Sequence, residues 1–286
     1  MNTNKLSELA ASVIVLYNTN LEDSLTFNAL SKSLLFTENK ITLIVYDNSA
    51  NAQIIKDSLR NMFPGTIIYI HDGTNPGVSK AYNVAARIAT VNQLKWIILF
   101  DQDTDFGEDT LRIYLNALSS TDEQVIAPIL KDVREVYTYS PCLYRYKRGF
   151  WLKINNFGVS SFKNVNFLNS GMCINLKLFN NVGGFNEEIK LYFSDFEFFE
   201  RVYKSKKTYL QLDHTLIHSM ESNTMESSEI SAERFKIYMK SVSEVSSFTN
   251  FYGKILYSFW ALLRACKMSV IFRDLKFFRL FFNYGK

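Results

Sequence analysis

The alternation of apolar runs with helix-like segments over residues 12–101 restricts the fold of this chain. Runs rich in β-branched residues indicate buried strands, and the segments between them have the spacing of amphipathic helices. Strands separated by helices are joined by right-handed crossovers, which place them parallel in one sheet. The sequence therefore predicts an α/β fold with a mostly parallel sheet. Strands are predicted over 12–18, 41–49, 66–70 and 96–101, and helices over 23–35, 53–62 and 78–90.

Polar side chains follow the first, second and fourth predicted strands. They belong to Tyr17, Asn18, Asp47, Asn48, Asp101 and Asp103. Because the carboxyl ends of parallel strands meet at one edge, we expect these side chains to line one crevice. Two carboxylates one residue apart suit a divalent cation that bridges to phosphate oxygens, although a lone Asp-x-Asp more often marks a polar turn.

Composition and short motifs exclude several classes of protein. With 286 residues, 47% of them hydrophobic and 21% charged, the chain is expected to form one catalytic domain and an appendage. Its three cysteines are widely separated, which fits neither a disulfide framework nor a zinc site and suggests a cytoplasmic protein. Residues 1–11 lack the pattern of a signal peptide. No glycine-rich phosphate loop follows the first strand, which argues against dehydrogenases and ATPases.

Four motifs follow one another, namely the strand over 13–18, Asp-Asn-Ser at 47–49, Asn-x-Gly-x-x-x-Ala-x-Asn at 75–83 and Asp-Gln-Asp-Thr at 101–104. Their order resembles that of the family 2 glycosyltransferases, which have the GT-A fold. The first strand is similar to the family's opening strand, and 47–49 (Asp-Asn-Ser) to its nucleobase-binding turn. Residues 75–83 resemble its Asn-x-Gly-x-x-x-Ala-x-Asn element. Residues 101–104 (Asp-Gln-Asp-Thr) fall at its metal-binding Asp-x-Asp, in a version similar to that of bacterial rhamnosyltransferases. The resemblance extends over roughly residues 10–220.

The second half of the chain continues the resemblance. Residues 167–172 are similar to the family's acceptor-side loop, where a Ser-Gly pair allows close approach of a sugar. Residues 183–187 and 193–197 resemble its Gly-Gly-Phe-Asp-Glu and Glu-Asp block. The family's catalytic base lies in the Glu-Asp pair, which here reads Ser194-Asp195. The resemblance therefore implies Asp195 as the base, with Glu197 as the second candidate.

The resemblance also implies the residues that bind donor, acceptor and metal. Donor-binding candidates are Tyr17, Asn18, Asp47, Asn48, Asn75, Gly77, Asn83, Asp101, Gln102 and Asp103. Acceptor-binding candidates are Asn169, Ser170, Gly171 and Glu197. Mg²⁺ or Mn²⁺ would be held by Asp103 and His218, while Asp101 orients the ribose or a metal-bound water. His214 is the alternative to His218, and for each a structural role is an equal alternative, whereas His71 reads as structural.

The C-terminal segment differs from the rest of the chain. Residues 250–286 contain eleven aromatic residues and seven Lys or Arg, against the single acid Asp274. Arg264 and Lys267 interrupt its apolar stretch, so we expect amphipathic helices on an anionic membrane surface rather than a membrane span. A packed helical subdomain or a homodimer contact is the alternative. With a net charge of +4 and no nucleic-acid-binding motif, a nucleic-acid partner ranks low.

Together these features predict a catalytic domain over 1–220 and a helical region over 221–286. The catalytic domain divides into a nucleotide-sugar half, about 10–105, and an acceptor half, about 106–220.

The resemblance implies a metal-dependent, inverting transfer from a nucleotide-diphosphate sugar to a lipid-linked glycan of a bacterial surface polysaccharide, at the inner face of the cell membrane. The leading donor is dTDP-rhamnose, and UDP-hexose or UDP-galactofuranose is the alternative. Other classes to weigh are a non-catalytic nucleotide-sugar-binding or scaffold protein and a nucleotidyltransferase. Tyr144, Tyr146 and Trp151 form either an acceptor platform or ordinary core.

Overall fold

The computed structural model describes residues 9–35, 41–53, 55, 57–63, 65–132, 138–154, 156–218 and 227–283. The strands are β1 (Ala10–Leu16), β2 (Thr42–Asp47), β3 (Thr66–His71), β4 (Trp96–Asp101), β5 (Thr104–Asp105), β6 (Val125–Asp132), β7 (Thr138–Ser140), β8 (Cys142–Arg145), β9 (Arg148–Phe150), β10 (Gly158–Ser161), β11 (Val165–Asn166), β12 (Cys173–Asn175) and β13 (Thr208–His218). The helices are α1 (Leu25–Leu35), α2 (Asp57–Met62), α3 (Val78–Val91), α4 (Thr110–Ser120), α5 (Leu176–Asn181), α6 (Ser194–Ser205), α7 (Ser228–Ser246), α8 (Phe251–Phe272) and α9 (Lys276–Asn283).

Within the described residues, ten strands form one mixed sheet, whose main path runs β10-β13-β6-β12-β4-β1-β2-β3. Strands β3, β2, β1 and β4 are parallel neighbours, which confirms the predicted crossover units. Strand β12 lies antiparallel between β4 and β6 and joins the two halves of the sheet. A smaller sheet has the order β11-β8-β9. The architecture is thus α/β with a mostly parallel sheet, as expected.

The helix predicted from residue 53 begins later, at Asp57. The reason lies in Gln53, whose backbone N–H donates to the Tyr69 hydroxyl at 2.8 Å. Its side chain also bonds both the backbone N–H of Leu21 and the carbonyl of Thr19. These tertiary bonds hold Gln53 outside the helix, because they tie it to Tyr69 of β3 and to the loop that follows β1.

Both faces of the large sheet are covered, because successive side chains of a strand point to opposite faces. In β1, Ile14 and Leu16 belong to the core beneath α1 and α4. Val13 and Val15 belong to the core on the other face, which α3, α5 and α6 cover. The central strands are therefore buried on both sides and can expose polar groups only at their ends.

The three C-terminal helices pack against the segment that leads into α6. Ile189 belongs to the same buried cluster as Phe235 of α7 and Tyr257 of α8, with Tyr192 and Phe193 packed against it. Five small or aromatic residues at four-residue spacing bury one face of α8, namely Gly253, Tyr257, Ala261, Ala265 and Ser269. The C-terminal region is therefore in direct contact with the loop before Asp195.

The sequence argues against a membrane span in the tail, but α8 is long and apolar enough to cross a bilayer when only its length and composition are considered. Its buried face belongs to the protein core, and the Arg264 guanidinium lies 4.3 Å from the Tyr238 ring centre. The opposite side carries exposed Phe251, Ile255 and Leu263. Helix α8 thus has one face in the protein and one apolar face in solvent.

Candidate active site

The polar ends of three parallel strands meet at one edge of the sheet. In the β1–β2 pairing Leu16 is opposite Asp47, and in the β1–β4 pairing Val15 is opposite Asp101. Tyr17 and the two acids are consequently neighbours at the carboxyl ends of adjacent strands. This is the edge at which α/β sheets bind ligands.

The turn that carries Asp101 and Asp103 is fixed by hydroxyl groups at the start of α1. The Thr26 hydroxyl donates to the Asp101 carbonyl at 2.5 Å and accepts from the Thr104 N–H at 3.1 Å. The Ser24 hydroxyl donates to the Gln102 carbonyl at 2.8 Å. Both hydroxyl-bearing residues are buried, so the backbone between the two acids has little freedom.

Gln102 links this turn to the end of β1. Its Oε1 accepts from the Tyr17 N–H at 2.8 Å, and its Nε2 donates to the Tyr17 carbonyl at 3.3 Å. The middle residue of the Asp-Gln-Asp motif thus clamps two strand ends together. Donor contacts by Gln102 and Tyr17 stay predictions, and the clamp supplies an independent reason for an amide at this position.

The Asp47-Asn48-Ser49 turn is tied down by its own side chains. Asp47 is fully buried, and its two oxygens accept from the Ser49 N–H at 2.9 Å and the Tyr69 hydroxyl at 2.7 Å. The Ser49 hydroxyl accepts from the Asn18 N–H at 2.8 Å. By contrast, Asn48 Oδ1 is buried and receives no hydrogen bond from any described residue. Asn48 Oδ1 is therefore the side-chain acceptor of this turn that a ligand could use.

Tyr82 interacts with three carboxylates from two distant motifs, one through a hydrogen bond and all three through their charges. This fully buried tyrosine of α3 donates to Asp101 Oδ1 at 3.1 Å. Burial raises the pKa of Tyr82 well above its usual value, and the charges of Asp101, Asp195 and Asp103 raise it further. The fold therefore brings Asp195 to the strand edge predicted from Asp101 and Asp103. The sequence does not identify Tyr82 as a site residue, although Tyr82 lies within the 75–83 motif.

Asp195 lies in the first turn of α6. Its Oδ1 accepts from the Phe196 N–H at 2.8 Å. Burial raises the pKa of Asp195 to about 7, opposed by that hydrogen bond and supported by the charge of Asp101. Ser194, where the family carries a glutamate, donates its hydroxyl to the Leu191 carbonyl at 2.8 Å. Asp195 thus has a pKa suited to accepting a proton near neutral pH.

The acceptor-side loop is bonded to the acidic turn. Ser170 Oγ lies 2.5 Å from Thr104 Oγ1 and accepts from the Asp101 N–H at 3.3 Å. Gly171 has φ +83°, and a Cβ there would lie 2.3 Å from Leu216 Cδ1, so its own chain already requires glycine. Buried Asn169 Oδ1 receives no hydrogen bond from the described residues. Among the three acceptor candidates in this loop, Asn169 therefore has a polar atom available.

The 75–83 element binds the 183–190 segment. The Asn83 amide donates to the Phe185 carbonyl and to Glu187 Oε1, each at 2.9 Å, and its oxygen accepts from the Phe185 N–H at 2.8 Å. Gly77 lies against the Lys190 carbonyl, while Asn75 adopts φ 47° in the preceding turn. These contacts explain the Gly and both Asn residues without a donor, whose contacts with them stay predictions.

Gly77→Ala is expected to lower the free energy of unfolding by about 2–4 kcal/mol, because a Cβ would lie 2.3 Å from the Lys190 carbonyl oxygen at a residue with φ +97°. Urea denaturation measures the change. Gly107→Ala is the control, because no atom lies within 4 Å of its added Cβ. Equal stabilities of the two variants would contradict the packing of the two motifs.

Two glutamates of α6 are engaged by basic residues. Glu197, the second candidate for the base, accepts two 2.7 Å bonds from the Arg201 guanidinium. This bidentate pair occupies both carboxylate oxygens of Glu197 and favours Asp195 as the base. Glu200 accepts from the Tyr144 hydroxyl at 2.8 Å and from Lys147 Nζ at 2.5 Å. It therefore ties the β8–β9 hairpin to the helix that carries Asp195.

The three histidines have different surroundings in the structure. His214 Nε2 lies 2.6 Å from Thr110 Oγ1 at the start of α4, and burial lowers its pKa. The backbone of His218 pairs with Thr104, next to Asp103, while the His218 side chain lies outside the described part of the structure. His71 bonds the Ser49 carbonyl at 2.8 Å, consistent with a structural role.

The oxygen ligands at the strand edge fit a divalent cation. Mg²⁺ is commonly held by one or two protein carboxylates together with phosphate oxygens of the substrate. Asp103 is half-buried in its turn and Asp101 is its neighbour, which matches that requirement. The described residues contain no group of three His, Cys, Asp or Glu placed to hold a metal by themselves.

Comparison with known sequences decides the family. The model of "Glycosyl transferase family 2" matches residues 13–173, more than half of the chain. The chain belongs to glycosyl transferase family 2. The matched region contains the strand ends, the acidic turn and the acceptor-side loop of this family 2 chain.

One relative by sequence and two solved structures are similar to this chain. The chain is 28% identical over 187 residues to the dTDP-rhamnosyl transferase RfbF of Shigella flexneri, a match that covers 65% of this chain and 60% of RfbF. The structure of S. aureus TarS 1-349 in complex with UDP-GlcNAc is similar, with a TM-score of 0.56 and 17% identity over 83% of this chain and 66% of TarS. GalNAc-T7 with UDP, GalNAc and Mn²⁺ has a TM-score of 0.58 and 11% identity, over 96% of this chain and 56% of GalNAc-T7. These structural relatives show the GT-A fold in this family 2 chain, which spans less than two thirds of their length.

Proposed function

We propose that this chain is a metal-dependent, inverting glycosyltransferase that moves L-rhamnose from dTDP-rhamnose to a lipid-linked glycan. The observation that carries the proposal is that Asp101 accepts a hydrogen bond from Tyr82 in the turn it shares with Asp103, while the charge of Asp195 acts on the same tyrosine. It supplies a leaving-group side and a proton-accepting side at one strand edge. The relative RfbF, named as a dTDP-rhamnosyl transferase, supports the choice of donor.

The two sides divide the chemistry of a single displacement. The acceptor hydroxyl attacks the anomeric carbon, a new C–O bond forms, and the bond from that carbon to the diphosphate oxygen breaks. Asp195 takes the hydroxyl proton, and the configuration inverts because attack and departure occur on opposite faces. Asp103 would hold Mg²⁺ or Mn²⁺, which supplies positive charge to the departing diphosphate. Asp101 positions the ribose or a metal-bound water.

The nucleotide side fits a pyrimidine. Uracil and thymine present an N3–H donor, and Asn48 Oδ1 is a buried acceptor without a partner among the described residues. This feature supports dTDP and UDP donors equally. TarS and GalNAc-T7 were each solved with uridine nucleotides, so UDP-hexose and UDP-galactofuranose are the alternatives for this chain.

Titration calorimetry with dTDP-rhamnose, UDP-glucose and UDP-galactofuranose, each with and without Mn²⁺, tests this proposal. We expect dTDP-rhamnose to bind most tightly, and only when Mn²⁺ is present. Binding of none of the three would contradict a nucleotide-sugar enzyme. Tight binding without transfer to any glycan from bacterial membranes would favour the scaffold alternative.

The exposed side of α8 supports an interfacial location at the inner face of the cell membrane. Its solvent-facing apolar residues accompany exposed Lys254, Lys267 and Arg273, a combination that suits anionic headgroups. A lipid-linked acceptor would bring its glycan to the same surface. A homodimer contact through this face is the alternative.

The chain is expected to sediment with phosphatidylglycerol vesicles, and the triple variant Phe251→Ser, Ile255→Ser, Leu263→Ser to bind them at least about tenfold more weakly. Val91→Ser with Val159→Ser is the matched control, because both valines are exposed outside the C-terminal helices. Size-exclusion chromatography of the same variants separates the alternatives. A dimer that the triple variant disrupts, with unchanged vesicle binding, would contradict the membrane proposal.

A further inference from the structure

The tip of the β8–β9 hairpin has a costly backbone conformation. Tyr146 and Lys147 have φ values of 52° and 60°. Two-residue hairpins with positive φ at both central positions ordinarily use Asn-Gly, because side chains with a Cβ disfavour this region. A Tyr-Lys turn therefore requires contacts from outside the hairpin to hold it.

Two neighbouring helices provide those contacts. Lys147 Nζ donates to both Glu200 oxygens, at 2.5 and 2.6 Å, which fixes the tip to α6. The Tyr146 carbonyl accepts from Trp260 Nε1 at 2.8 Å, which fixes it to α8. The hairpin is thus held between the helix that carries Asp195 and the C-terminal region.

Four aromatic residues lie at or beside this attachment and are called the aromatic band here, namely Tyr146, Phe150 and Trp151 of the hairpin segment and Trp260 of α8. The Phe150 and Trp260 ring centres are 6.0 Å apart, and the Arg148 guanidinium lies 4.4 Å from the Trp260 ring centre. Trp151 and Tyr146 are 64% and 60% exposed. The aromatic band thus presents exposed ring surface beside a charged hydrogen-bond donor.

The hairpin lies directly against the first turn of α6. A Cβ on Gly149 would lie 3.2 Å from Phe196 Cζ, and the Tyr144 and Phe196 ring centres are 5.0 Å apart. Phe196 follows Asp195 in the chain, so the strand that leads into the aromatic band borders the proposed base. A glycan whose hydroxyl reaches Asp195 has this hairpin as one of its nearest surfaces.

We propose that the aromatic band is a binding subsite for a pyranose unit of the acceptor glycan. The apolar C–H face of a pyranose packs on aromatic rings, while its hydroxyls need polar partners such as the exposed Arg148 guanidinium. Trp151 supplies the main stacking surface, and Trp260 holds the hairpin in place. This inference rests on the proposed transferase function, since only a transferase has an acceptor.

Tryptophan fluorescence tests the subsite, because Trp151 and Trp260 both belong to the aromatic band, whereas Trp96 is buried in β4. Octyl α-L-rhamnopyranoside and octyl β-D-glucopyranoside, below their micellar concentrations, are the probes. We expect at least one of them to change the emission of the full-length protein saturably. Trp151→Ala should weaken binding of the glycoside by about tenfold or more. The apparent Kd of the variant is measured by ligand-observed NMR. Trp151→Phe, which keeps a ring, should retain most of the affinity.

Phe282→Ala is the matched control, since Phe282 is 66% exposed and belongs to α9 rather than to the hairpin. It should bind the octyl glycosides as the unaltered protein does. No response to either glycoside, or equal binding by Trp151→Ala, would overturn the subsite. Octanol is the third probe. An equal response to octanol would indicate a general apolar or lipid-binding surface, and this result would also overturn the sugar subsite.

Calorimetry with dTDP-rhamnose and the UDP-sugars on the same samples separates the two proposals. Donor binding and transfer without any glycoside response would overturn the subsite and leave the transferase. Absence of donor binding would overturn the transferase, and the acceptor subsite with it. Trp151→Ala should leave donor affinity unchanged, whereas a loss of donor affinity would contradict a role confined to the acceptor.

Discussion

Replacement of Asp195 by asparagine is expected to lower kcat by about 10²–10⁴-fold while donor affinity changes by less than about twofold. The amide keeps the size of the side chain but cannot accept the proton of the attacking hydroxyl. Donor affinity should persist, because Asp195 belongs to α6 and the proposed donor residues lie mainly at the strand ends. Single-turnover transfer measures the first quantity, and calorimetry with Mn²⁺ measures the second.

The pH dependence supplies an independent test of the same residue. Burial raises the pKa of Asp195 to about 7, so the ionised base is the minor form at lower pH. The kcat/KM of the unaltered enzyme should therefore rise as the pH increases through 7 and fall about tenfold per pH unit below it. This acidic limb should be absent from the residual activity of Asp195→Asn.

Stability should change in the opposite direction. A carboxyl whose pKa is higher in the folded state favours folding when protonated, so its contribution declines as the pH rises from about 4 to 7. Asp195→Asn should accordingly stabilise the protein by about 1–3 kcal/mol at pH 8 and have little effect at pH 4. Thermal unfolding at both pH values measures the difference.

Asp213→Asn is the control for both measurements, because Asp213 is exposed on β13. It should leave kcat and the pH profile unchanged. Normal transfer by Asp195→Asn would remove the carboxylate from the proton-transfer step. Glu197→Gln would then be the next variant to measure, although its carboxylate is held by Arg201.

Periodicity and strand ends predicted the half of the site that depends on local sequence. The β-branched runs give the parallel strands, and parallel strands require their polar ends to meet, which places Asp47 near Asp101. These inferences need only the order of elements. The position of Asp195 at the same edge followed from family resemblance, because nothing local relates α6 to β4.

The remaining contacts depend on packing between distant segments. Asn83 was assigned to the donor from its motif, but its amide bonds Phe185, and Gly77 lies against Lys190. The clamp between Gln102 and Tyr17 likewise joins two strand ends. A motif identifies such residues without giving their partners. A turn glycine or a buried amide can contact either a ligand or the backbone of the protein itself.

The contacts of the C-terminal helices with the rest of the chain likewise could not be predicted from the sequence. Composition predicted basic, aromatic helices, which are consistent with α7 to α9. It did not predict that Trp260 donates to Tyr146 or that Ile189 packs among those helices. The tail thus has a second role, in holding the hairpin and the loop before Asp195.

Asp103→Asn is expected to weaken Mn²⁺ binding in the presence of UDP or dTDP by at least about tenfold and to lower kcat by about 10³-fold or more. The proposed cation would be held by few protein ligands, so loss of one carboxylate charge removes a large part of the attraction. Electron paramagnetic resonance of Mn²⁺ measures its binding, and transfer at saturating donor measures kcat. Asp105→Asn is the matched control, because Asp105 is exposed two residues further along β5.

Asp101→Asn separates the roles of the two acids. Asp101 accepts a hydrogen bond from the Tyr82 hydroxyl, and the charge of the Asp101 carboxylate raises the pKa of Asp195. Its amide variant should therefore shift the acidic limb of kcat/KM to lower pH while weakening Mn²⁺ binding less than Asp103→Asn does. Equal loss of Mn²⁺ from both variants would make the acids joint ligands. A larger loss from Asp101→Asn would reverse the assignment, because the residue nearer to Tyr82 would then hold the cation.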